Sequence, residues 1–189
     1  MIRPLAIAAA VAFLLMQVPG AAAGAASTRP PAPAQAAPAA PRPVDGYMET
    51  WKDISNKILQ MAEDFPEDKY DFKPNPEVRT FAGQVLHVTG SIYYFQAILE
   101  GRKPIEEDPK RADFKNKAEI VAYAKKAVAD GTALLEKADF SKSFQGPRRL
   151  VNPYYFWADF CEHAGEHYGQ MVVYYRVNGL VPPESRPKK

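Results

Sequence analysis

Apolar residues recur at three- and four-residue spacing in four stretches of the chain, and no stretch shows sustained strand-like alternation with hairpin turns. The first is a predicted helix over about Asp45 to Asp64, with Tyr47, Met48, Trp51, Ile54, Ile58, Met61 and Ala62 on one face. The three prolines of "FPEDKYDFKPNPEVR" break the pattern. A second helix is predicted from about Thr80 to Glu100, stopped by Gly101, and a third from about Lys117 to Ala138 after a polar connection containing Pro104 and Pro109. The fourth has the clearest limits: Asn152 as N-cap, Pro153 at the first helical position, then Asn178-Gly179 and Pro182-Pro183 as stops. Helices of about twenty residues joined by connections of about fifteen predict an all-α four-helix bundle.

The first 43 residues carry no such pattern. Arg3, the apolar run Leu5 to Val18 and the small residues Ala21-Ala22-Ala23 are expected to form a signal peptide over residues 1–23. The run is about fourteen residues, short of the roughly 20 that a spanning helix needs, and no later segment is apolar enough, so no stable membrane span is expected after cleavage. Residues 24–43, "GAASTRPPAPAQAAPAAPRP", hold no large apolar side chain and are expected to be a disordered Ala/Pro-rich linker. The folded domain is then expected over 44–183, with 184–189 as a short basic tail. The location implied is periplasmic or secreted.

The formal net charge is +2, with acidic and basic residues interspersed, which speaks against nucleic acid as a partner. Cys161 is the only cysteine, so no intrachain disulfide supports the domain despite the export signal. It lies two positions from His163, about 200° around a helix, and is read as a buried, unreactive thiol.

Histidine is scarce as well, and two of the three sit in "DFCEHAGEHYGQ", four positions apart. On a helix, His163 and His167 share a face with their Cβ atoms roughly 6 Å apart, close enough to bind one metal ion. The same face continues to Asp159, Gln170 and Tyr174. His87, on the second helix, has Gly83, Gln84, Gly90 and Ser91 at helical spacing, small or polar neighbours unlike a plain core. If the two faces meet, three neutral imidazoles converge on a site for zinc or nickel, with iron or manganese as further divalent choices, and a coordination position stays open for water or substrate. Asp159 and Gln170 are candidates to orient an imidazole from behind. Tyr94 and Tyr174 are the pocket candidates, each near a histidine-bearing face. A thermolysin-like HExxH site is not expected, because Ala164 follows His163.

"PNPEVRTFAGQVLHVTG", followed far downstream by "CEHAGEHYGQMVVYYRVNGLVPP", resembles the DinB-like superfamily of metal-dependent four-helix bundles, and the resemblance spans about Val44 to Pro183. It implies a divalent metal on His87, His163 and His167, and an S-transferase or hydrolase chemistry in which the metal activates a thiol or water. A thiol cosubstrate or another small-molecule substrate is the partner it implies. Three readings stay open: such an enzyme, a non-enzymatic metal- or ligand-binding module of the same fold, and a metal-free bundle whose histidines pack. The helix faces also leave room for a homodimer.

Overall fold

The computed structural model describes residues 40–188; the expected signal peptide and most of the expected linker lie outside the described residues. Four helices dominate: α1 (Pro43–Asp64), α2 (Phe81–Leu99), α3 (Lys117–Glu136) and α4 (Pro153–Val177). Their starts follow the local chemistry. Thr80 Oγ1 accepts from the Gly83 amide at 3.0 Å, Asn116 Oδ1 from Glu119 at 3.0 Å, and Asn152 Oδ1 from Tyr154 at 2.9 Å. After α2 and α4 the chain reverses through Gly101 and Gly179, at φ 65° and 69°, a conformation that costs glycine nothing.

Around the bundle the neighbours are α1 with α3, α3 with α2, α2 with α4, and α4 with α1. Sequence-adjacent α1 and α2 therefore lie across a diagonal, as do α3 and α4, and both of those connections must be long. The first is no plain surface loop: Phe65 and Tyr70 are fully buried, Phe65 stacks on Phe81 with ring centroids 3.8 Å apart, and the Tyr70 hydroxyl donates to the Ala62 carbonyl. It plugs one end of the core. In the second, β1 (Phe144–Gln145) pairs antiparallel with β2 (Leu150–Val151). Two-residue strands are too short to leave an alternating pattern in the sequence.

Gly131 sets how closely α3 approaches its neighbours. A Cβ there would stand 3.0 Å from Ile92 Cγ2, 3.1 Å from Trp51 Cζ2 and 3.3 Å from Phe160 Cζ, all buried side chains. Beside that plug Arg186 pairs with Asp64, the last residue of α1, at 2.8 Å, and donates to the Val181 carbonyl. This bond holds the Asp64 carboxyl below its usual range. None of the helices among the described residues is long and apolar enough to cross a membrane.

Two outcomes follow for stability. Gly131→Val should lower the unfolding free energy by about 1–3 kcal/mol, because the added methyls meet packed rings that have no room to retreat; urea unfolding measures this, and an unchanged midpoint would show slack at that contact. Asp64 has a depressed folded pKa, so its contribution is present above the unfolded carboxylate value and lost as pH falls through the folded one. The difference in melting temperature between the wild type and Arg186→Gln should therefore be largest near neutral pH and shrink under acid conditions; a difference independent of pH would count against the pairing.

Candidate metal centre

The second and fourth helices meet at the positions that carry the histidines. His87, His163 and His167 each offer a ligand atom, and these atoms all lie within 4.8 Å of one another. The ring centroids are 5.3 Å apart for His87 and His163, 4.5 Å for His87 and His167, and 4.6 Å for His163 and His167. Three imidazoles from two helices are thus positioned to hold a metal ion.

Their hydrogen bonds fix which nitrogen is free. His87 Nδ1 lies 2.6 Å from Asp108 Oδ1, and His167 Nδ1 lies 3.0 Å from Gln84 Oε1. Both partners are acceptors, so each Nδ1 carries the proton and each Nε2 keeps its lone pair, the tautomer that a metal requires. His163 Nε2 is buried with no hydrogen-bond partner among the described residues. Leaving a buried polar atom unpaired costs about 1–3 kcal/mol, and a metal ion would remove that cost.

Electrostatics favour neutral rings. Burial pushes His167 down to about 4, helped by the neighbouring His163 and His87, and lowers His163 for the same first reason, with His87 next. Neither imidazole has to lose a proton at neutral pH before it can donate to a cation.

The groups behind the histidines come from further away than helix periodicity can show. Asp108, in the connection between α2 and α3, also accepts from Arg79 Nη2 at 3.1 Å. The buried Tyr174 hydroxyl donates to the Arg79 carbonyl, so Tyr174 supports the arm that holds Asp108 and does not line the cavity beside the histidines. Gln170 Oε1 accepts from Gln84 Nε2 at 2.7 Å; it reaches His167 through Gln84 and not directly. Asp159 makes no hydrogen bond to an imidazole among the described residues and lines the cavity instead, with Tyr94, His87 and His163. Gly90 lets the connection come close: a Cβ there would stand 2.9 Å from Pro109 Cδ.

Sequence reasoning missed Asp108 and Arg79 as supports of His87, and placed Gln84 only as a neighbour. The one local sign was the small Gly90 one turn from His87, which marks a close approach without naming what approaches. Cys161 is buried away from the cluster, its Sγ 4.0 Å from the Tyr47 carbonyl, and burial pushes its thiol up to about 11, so it is neither ligand nor nucleophile here.

Because His167 titrates lower folded than unfolded, the metal-free protein should lose stability as pH falls from about 6.5 towards about 4, where the unfolded chain binds a proton that the folded one refuses. In nuclear magnetic resonance of the metal-free protein, the His167 ring should show a midpoint near 4. A midpoint near 6.5 would contradict the buried, neutral ring.

The fold has counterparts among known proteins. A DinB-like protein from Bacillus cereus superposes with a TM-score of 0.60 at 16% identity, over 74% of this chain and 95% of that one. A DinB-like protein from Bacillus subtilis gives a TM-score of 0.60 at 21% identity, over 72% of this chain and 93% of that one. These likenesses show a common fold. No curated protein matches the sequence. The model of the DinB superfamily matches residues 50–171, most of the described domain with His87, His163 and His167 inside it, and the chain belongs to the DinB superfamily.

Proposed function

We propose that this is an exported DinB-superfamily protein whose His87, His163 and His167 bind one divalent metal ion, zinc or nickel foremost, and present it to a small molecule. The observation that carries this reading is the buried, unpartnered Nε2 of His163 beside two imidazoles already locked in the Nδ1–H tautomer. A packing role alone would leave that nitrogen's desolvation uncompensated. Exclusively nitrogen donors suit zinc, nickel or another first-row divalent ion better than calcium or magnesium.

An ion with an open position would polarise a carbonyl, lower the pKa of water or hold a thiol as thiolate. The protein's own residues set up the rest. Asp108 and Gln84 hold the rings in orientation, and Arg79 holds Asp108. A cavity of about 340 Å³, with His87 and His163 in its wall, gives a small molecule access to the cluster. That access favours a catalytic or ligand-presenting site over a closed structural one. Transfer or hydrolysis is the reaction class this supports, with a metal-dependent ligand-binding module as the second reading.

Metal analysis by mass spectrometry on untagged protein tests the binding. Near-stoichiometric divalent metal is expected, with loss of most of it in His163→Ala. Asp108→Asn should keep the fold and weaken metal affinity by about 10–100-fold, as loss of a carboxylate behind a metal-bound imidazole does. Absence of metal after incubation with each candidate ion, or equal affinity in Asp108→Asn, would overturn the respective claim.

A further inference from the structure

The cavity beside the histidines has a sharply one-sided charge. Its rim carries Glu106, Glu107 and Asp159, and no lysine or arginine lines it. Asp108 is also there, but Arg79 and His87 already engage its carboxylate. The other three have no salt-bridge or hydrogen-bond partner among the described residues. Like charges facing one cavity repel unless a cation joins them. Tyr94, Phe95 and Ile105 give the same cavity apolar walls, and aromatic faces attract cations as well. His87 and His163 of the imidazole cluster line it too.

We propose that this cavity selects a small organic cation, bearing an amine, guanidinium or quaternary ammonium group, which also carries a neutral or thiol donor that reaches the imidazole cluster. The donor end points inward, where an ion on the imidazoles would add positive charge, and the cationic end lies outward on the rim that carries the carboxylates. The placement of the donor rests on the metal-site reading, whereas the charge preference rests on the carboxylates and walls. An anionic thiol of the same length meets the opposite field at the rim. The expected thiol cosubstrate is thereby narrowed: a carboxylate-rich thiol is disfavoured.

A matched pair of probes tests the assignment. Cysteamine and 3-mercaptopropionate carry a thiol at similar reach and differ in the charge at the other end. Calorimetric titration of the metal-loaded protein at low ionic strength should show cysteamine binding about ten-fold or more tightly, because surface potentials of this kind are worth that much in discrimination. In Glu106→Gln/Glu107→Gln/Asp159→Asn the preference should collapse to near equality. Equal or tighter binding of 3-mercaptopropionate to the wild type, or a cysteamine preference that survives the triple substitution, would overturn the assignment. Metal content measured on the same samples separates the two readings. A metal-loaded protein without the preference overturns the cation assignment alone, and a metal-free protein that keeps the preference overturns the metal site alone.

Discussion

A buried imidazole nitrogen with nothing to bond is the constraint on which the site turns. Protein interiors pair nearly all of their buried polar atoms, since each failure costs a sizeable part of a domain's net stability. Here His163 Nε2 has no hydrogen-bond partner among the described residues where α2 and α4 meet. The Nδ1 protons of His87 and His167 are committed to Asp108 and Gln84, so these rings offer lone pairs and no proton. Ligand nitrogens from three rings within 4.8 Å of one another are placed to attract a cation. The helix crossing is therefore positioned to hold a metal ion, and burial lowers the proton affinity of His163 and His167 there.

The support for that crossing is distributed over the whole domain. Gln170 on α4 fixes the Gln84 amide on α2, and Gln84 fixes His167 back on α4, so the two helices are laced together at the histidine level. Arg79, just before α2, reaches across to Asp108 beyond the end of α2, while Tyr174 on α4 holds the Arg79 backbone. Each of these bonds joins segments far apart in sequence. Deleting one loosens an imidazole without emptying the core, and the core itself depends on other contacts, such as the close approach at Gly131 and the aromatic plug of Phe65, Tyr70 and Phe81.

Much of this was legible in the chain. Helix limits were readable because caps and breakers act locally: Asn152, Pro153, Gly101 and Gly179 each do in the structure what their chemistry suggests. The histidine trio was readable because i,i+4 spacing puts His163 and His167 on one face and because histidine is scarce enough for His87 to stand out. Asp108 was not readable. It lies in an irregular acidic connection with no period, and only the three-dimensional path of that connection, admitted by Gly90, brings it to His87. Tyr174 misled for a related reason, since sharing a helical face with His167 does not say whether a side chain one turn further on meets the cavity or the core. The plugging role of Phe65 and Tyr70 was hidden by the prolines around them, which signal irregular backbone and say nothing about burial.

The most direct test of the central claim is anomalous-difference crystallography at the zinc absorption edge on crystals of zinc-loaded protein. One dominant peak is expected between α2 and α4, with His87, His163 and His167 nitrogens at about 2.0–2.1 Å from it. A peak bound instead by surface carboxylates, or no peak at the crossing while His163 Nε2 finds a protein hydrogen-bond partner, would contradict it.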